Sequence, residues 1–196
     1  MNPPLPPHDL ATRHPGRIVL RKGAILERFF TIGFDAIYFD RGKDGRLNAP
    51  DGSYGVLYAA AEVRGAFAET FLRTTSRQTI AMDLVKKKAR IQLCATRELT
   101  LIKLSGAGLA RIGATAEITH GGLPYDAPQA WSKAIHNLAF APDGIAYTAR
   151  HDDEALCYAL FDHAQVCIEE ASRETDIDQD WFWQAAKLYD VGLPAY

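Results

Sequence analysis

Cysteine is scarce: Cys94, Cys157 and Cys167 are the three in 196 residues. Their odd number and the lack of any CxxC spacing argue against a disulfide framework and a cysteine zinc site, and they fit a reducing cytosol. Long apolar runs are missing too. No window approaches the ~18 uninterrupted apolar residues of a membrane span. The start of the chain, Met1-Asn-Pro-Pro-Leu-Pro-Pro-His8, lacks the apolar core of a signal peptide. Neither sign of charge dominates, since 22 Lys and Arg against 24 Asp and Glu leave a formal net charge of −2. No overall field therefore draws the chain to nucleic acid or anionic lipid. A soluble, cytoplasmic protein is expected, without direct nucleic-acid binding and without a membrane partner.

Metal and phosphate motifs are lacking as well. The six histidines contain no HExxH and no pair at helical spacing, so no metal is expected. Asp40, Asp44, Gly45 and Asp51 fall at the first, fifth, sixth and twelfth positions of a calcium loop. Gly42 stands where that loop needs an acidic or amide ligand, and the last position lacks the longer Glu, which excludes calcium. Gly42-Lys43 has neither the upstream glycine nor the following Ser or Thr of a phosphate loop. The run Lys86-Lys-Lys-Ala-Arg90 reads as a solvated edge, and His151 beside Asp152 as a surface histidine in a charged turn.

What is present is ordinary globular composition, 47% apolar and 23% charged. A chain of this size buries roughly 70% of its unfolded surface, enough for a core without staples. Residues 1–16 read as an extended proline-rich arm and residues 17–196 as one domain, with no linker or repeat. Strands are expected at 18–22, 55–61, 79–84, 99–104, 145–150 and 155–161, and helices at 62–73, 127–140 and 176–189. Residues 41–54, rich in Gly, Asp, Asn and Pro, are loop, and 25–39 stay open between helix and strand. Such irregular mixing predicts an α+β fold rather than a doubly wound sheet.

One loop–strand–helix block carries chemistry. Arg46 sits in a Gly-rich loop directly before the buried strand 55–61, Tyr58 lies near that strand's end, and Glu69 lies one helix beyond. On a helical wheel Glu69 borders the Ala66 side of the apolar face, which aims it at the helix–sheet junction. An arginine, a tyrosine and a carboxylate converging there supply a phosphate binder, a stacking platform and a stabiliser of developing positive charge.

The block resembles the RES domain, found in toxins of bacterial RES–Xre toxin–antitoxin pairs. The family's early arginine corresponds to Arg21 and its G-R-F/W-N-P-P loop to Gly45-Arg46-Leu47-Asn48-Ala49-Pro50. Its Y-L-A strand end corresponds to Leu57-Tyr58-Ala59, and its A-x-x-E helix to Ala66-Phe67-Ala68-Glu69. Further on, Gly144-Ile145-Ala146-Tyr147-Thr148-Ala149-Arg150 and Cys157-Tyr158-Ala159-Leu160-Phe161 match a G-I-x-Y-x-S-R strand and the run that follows it. Two positions depart: Leu47 replaces an aromatic, and Ala149 stands where the family has its serine.

The resemblance implies a mixed, mostly antiparallel β-sheet core flanked by helices, similar to ADP-ribosyltransferases. It implies a toxin enzyme that consumes NAD+ by cleaving the nicotinamide–ribose bond, as a glycohydrolase or phosphorolase, or by transferring ADP-ribose to a protein acceptor. NAD+ is then the substrate, and the partner an Xre-type antitoxin. Arg21 and Arg46 would contact the pyrophosphate, Tyr58 would pack on nicotinamide or ribose, and Glu69 would offset positive charge at C1′. Tyr147 and Arg150 are further candidates at the same sheet end. The alternative is a catalytically degenerate member, altered at Ala149, that acts only by binding its partner.

Overall fold

In the computed structural model, which describes residues 3–73 and 79–193, strands and helices follow one another irregularly. The strands are β1 (Arg17–Leu20), β2 (Ile25–Thr31), β3 (Val56–Ala60), β4 (Lys88–Ala95), β5 (Leu99–Leu104), β6 (Gly144–Ala149), β7 (Asp152–Phe161) and β8 (Ile168–Glu174). The helices are α1 (Val63–Phe71), α2 (Met82–Lys86), α3 (Ala107–Ile112), α4 (Glu117–His120), α5 (Asp126–His136) and α6 (Asp180–Leu188). All eight strands join one sheet in the order β1-β5-β6-β7-β3-β2-β4-β8. Only β5 and β6 run parallel; the other pairs are antiparallel. This is the α+β class, with a mostly antiparallel core flanked by helices.

The connection between β1 and β2 forces the sheet to curl. From Leu20 to Ile25 the chain stretches at most about 18 Å. Five flat strand spacings, the separation of β1 and β2 in the strand order, are about 24 Å. The two halves of the sheet therefore face one another, and Leu26, Phe30, Leu57, Ile91, Leu101 and Leu160 pack in the space between. On the outer face Phe67, Phe71, Trp131 and Phe182 from α1, α5 and α6 cover Ile145 and Phe161. Burying a side chain of this kind contributes about 1.5–3 kcal/mol, so the helices are held to the sheet by their apolar stripes.

The sheet parts between β2 and β3. Only Glu27 and Ala60 pair there, although β3 is fully laddered to β7 and β2 to β4. Arg28 fills part of the gap: its Nη1 donates to the Tyr58 carbonyl at 2.7 Å and its Nε to the Ala36 carbonyl at 3.1 Å. A backbone oxygen of β3 and one of the loop after β2 are thus met by a guanidinium.

Several expectations need correction. Residues 79–84 do not form a strand; Thr79 makes one bridge to Gly192 and the chain turns into α2 at Met82. The segment 25–39 is strand only as far as Thr31. The charged run at 86–90 is not merely a solvated edge: Lys88 opens β4, an interior strand whose residues 89, 91, 93 and 95 are buried. The proline-rich arm is laid against the domain, with Trp131 Nε1 donating to the Pro4 carbonyl at 2.7 Å and Leu10 buried. Residues 1–2 of that arm and 194–196 of the expected domain lie outside the described residues. Among the described residues no helix is long and apolar enough to cross a membrane.

Candidate active site

A cleft of about 390 Å3 opens where the sheet parts, a volume within the range of small-molecule sites. Its walls come from β2, β3, α1, the loop before β3 and the turn after β6. Arg46, Tyr58, Glu69, Tyr147 and Arg150, separated along the chain, all line it. Arg21 does not. It is an exposed residue of the turn after β1, where its carbonyl accepts the amide of Ala24. The order of arginines along the chain suggested Arg21, whereas the arginine on the strand beside the cleft is Arg28.

The Arg46 loop is held from both sides. Asn48 is fully buried and donates to Asp40 Oδ2 at 2.8 Å and to the Gly42 carbonyl at 2.9 Å. Its own Oδ1 accepts the Tyr58 hydroxyl at 2.9 Å, and that hydroxyl accepts the Leu47 amide at 2.8 Å. Gly45 is required here because a Cβ would overlap the Asn48 side chain. From α5, Gln129 donates to the carbonyls of Lys43 and Gly45, and Ser132 to that of Leu47. Leu47 is itself core, 1% exposed, so an aliphatic side chain fills the place of the family's aromatic. With its neighbours pinned, Arg46 points into the cleft, its Nε donating to the Gly121 carbonyl at 3.2 Å and its guanidinium 5.4 Å from the Tyr125 ring centroid.

Glu69 lines the same cleft from α1, as do Ala66 and Ala68. Its Oε2 accepts the Tyr147 hydroxyl at 3.3 Å and its Oε1 the Arg150 amide at 3.1 Å. Burial, with the Glu69 charge beside it, drives the Tyr147 phenol well above its ordinary pKa, so it stays a donor at neutral pH. Two donors on one carboxylate fix its direction without neutralising it.

Tyr58 has a second task beside the packing expected of it. Burial pushes its phenol above the usual range, and the hydroxyl is committed to the loop. Only its ring is offered to the cleft.

The fold adds residues that the sequence reading left out of the site, among them His151, read there as a surface histidine, and Lys88, read as part of a solvated edge. Arg28, Arg73, Lys88, Tyr125 and His151 also line the cleft. Burial lowers the pKa of Arg28 and of Lys88, and neighbouring guanidinium groups lower Lys88 further. Among the described residues, no carboxylate lies in salt-bridge range of Arg46, Arg73, Lys88 or Arg150. A concave surface with unneutralised cations suits a phosphorylated ligand. His151 sits in the turn after β6, and burial first, then Arg150, lowers its imidazole pKa, leaving it neutral near pH 7.

Ala149 is fully buried in the core under the outer helices and is not part of the cleft wall. Thr148 shows its hydroxyl to His120 Nε2 at 3.5 Å instead. Neither supplies a hydroxyl to the cleft. Burial also raises the Cys157 thiol well above its ordinary range, so it is no nucleophile at neutral pH.

The RES domain family model matches residues 23–184 of this sequence. The chain belongs to the RES domain family. The match begins after Arg21 and contains Arg46, Tyr58, Glu69, Tyr147 and Arg150. A chain of the crystal structure of the M.tuberculosis MbcT-MbcA toxin-antitoxin complex superposes with a TM-score of 0.64 at 13% identity, covering 86% of this chain and 92% of that one. That likeness is one of fold. No curated protein matches the sequence.

Proposed function

We propose that this RES-domain protein is the toxin of a toxin–antitoxin pair and consumes NAD+ in the cleft. The observation that carries the reading is a Glu69 carboxylate, oriented by Tyr147 and Arg150, in the same cleft as Arg46. The family match and the shared fold with a chain of a toxin–antitoxin complex support the toxin role. We take residues 17–196 as the working domain, residues 1–16 as an appended arm, and the cytoplasm as its place of action. An Xre-type antitoxin is the proposed partner.

The chemistry follows from the charges. The bond from ribose C1′ to the nicotinamide nitrogen breaks through an oxocarbenium-like transition state, as in glycoside cleavage. Nicotinamide leaves neutral, so no general acid is needed. Arg46, joined by the other cations of the cleft, grips the pyrophosphate in a bidentate fork. The Tyr58 ring packs on the ribose or nicotinamide. Glu69 accepts a ribose hydroxyl and faces the positive charge growing at C1′, an interaction stronger in the transition state than in the bound substrate. Water, phosphate or a protein side chain then takes the ADP-ribosyl group. No metal takes part in this scheme.

Purified protein, free of antitoxin, should release nicotinamide from NAD+. Glu69→Gln should lower turnover by ~10²–10³, with NAD+ binding and melting temperature retained. Neither nicotinamide release nor NAD+ binding by the wild-type protein would end this reading. Labelled NAD+ that tags a lysate protein while free hydrolysis stays slow would assign the acceptor as protein.

A further inference from the structure

Away from the cleft, the end of α5 meets the segment that follows β7. One donor atom from each of His136, Asp162 and His163 lies within 4.8 Å of the other two. None of the three lines the cleft. We propose that this trio is a binding site for a zinc-class divalent cation, with two imidazoles, one carboxylate and water as ligands.

Hydrogen bonding prepares all three side chains. His136 Nδ1 faces Asn137 Oδ1 at 3.2 Å, and His163 Nε2 faces the Pro142 carbonyl at 3.1 Å. An N–H donated to each of these oxygens leaves the second ring nitrogen of either histidine with its lone pair. Metal-binding histidines are oriented in this way, by donating the other N–H to an oxygen. The ring of His136 is further fixed by stacking on Tyr54, with centroids 4.0 Å apart and planes at 6°. Asp162 accepts Arg41 and the Gly55 amide through Oδ2, at 2.5 and 2.8 Å. Its Oδ1 has no protein partner among the described residues.

The donor set selects the ion. Two neutral imidazoles and one carboxylate suit zinc, whereas magnesium and calcium prefer oxygen alone. Tetrahedral zinc with bonds near 2.0–2.1 Å needs donors about 3.3 Å apart, so the trio, within 4.8 Å, must close by up to about 1.5 Å. His163 is exposed and can supply that movement. Arg41 opposes the ion by its charge, but its side chain is 60% exposed and free to swing into water. The sequence shows no such site because His136 and Asp162 are brought together only by the fold.

The experiment uses the untagged full chain, stripped with chelator, and Zn2+ alone as the probe. Competition against a chromophoric chelator should give one zinc per chain and a rise in melting temperature. His163→Ala, which removes an exposed side chain, should leave the metal-free melting temperature unchanged and weaken zinc by at least ~10-fold, since even outer partners of a metal site are worth that much. Arg41→Ala should tighten it. Absence of stoichiometric binding, or equal affinity in the wild type and His163→Ala, overturns the proposal. Nicotinamide release plays no part in this readout, so the site stands or falls independently of the cleft.

Discussion

The hydroxyl of Tyr58 donates to Asn48 Oδ1 at 2.9 Å while accepting the Leu47 amide, so a β3 side chain fixes the loop that carries Arg46. Tyr58→Phe keeps the ring on the cleft wall but leaves a buried amide oxygen and a backbone N–H unpaired. Stranded polar groups of this kind cost ~1–3 kcal/mol. Calorimetry should show a lower melting temperature. Kinetics should show a higher KM for NAD+, because Arg46 loses its fixed place.

The two arginines suggested by the resemblance should separate. Arg46 lines the cleft and Arg21 is exposed outside it. Arg46→Ala removes a charge-assisted contact worth roughly 1.5–3 kcal/mol, which is about 10- to 150-fold in NAD+ affinity. Arg21→Ala should leave binding and melting temperature unchanged. Titration calorimetry of both variants checks the contrast.

Ala149 offers a sharp comparison because its side chain is completely enclosed. Ala149→Ser puts a hydroxyl into apolar packing, where an unpaired one costs about 1–3 kcal/mol. The melting temperature should fall, and turnover should change less than ~10-fold, the worth of one ordinary hydrogen bond. A large gain in turnover would instead identify the protein as a degenerate family member that acts by partner binding.

His151 supplies a pH signature. Its folded-state pKa is depressed by burial and by Arg150, while the unfolded imidazole titrates near 6.5. Between those two values the unfolded chain binds more protons, so stability rises with pH there and is lost as pH falls from about 6.5. In His151→Gln that portion disappears. Melting curves from pH 7.5 down to 5.5 should therefore fall less steeply for His151→Gln than for the wild type.

Much of this site was legible because its residues fall in a fixed order around buried runs. The strand 55–61 announced itself by continuous apolar character, and the loop before it by Gly, Asn and Pro. Placing Glu69 needed only the helical wheel, since Ala66 and Ala68 share its wall. Other parts carried no local signal. β4 alternates cleanly from Ala89 to Ala95, yet the three lysines before it masked the pattern. β8 is an edge strand with one buried residue, Ile168, so it shows no period at all. At 79–84 the apolar run is too short to separate strand from helix, and the bridge to Gly192 decides the matter through a contact far along the chain. Arg28, Lys88 and His151 reach the cleft through strand pairing and a turn, neither of which is written near them in the sequence.

Because β2 and β3 pair only at Glu27 and Ala60, no continuous backbone ladder fixes the width of the groove. That width is set by side chains: the Arg28 plug, and the aromatic packing of Phe29 against Phe71 and Phe182. Trimming Phe71 or Phe182, which lie outside the cleft wall, would let the two blocks of strands lean apart or together, altering what the groove admits with no change to the residues that line it.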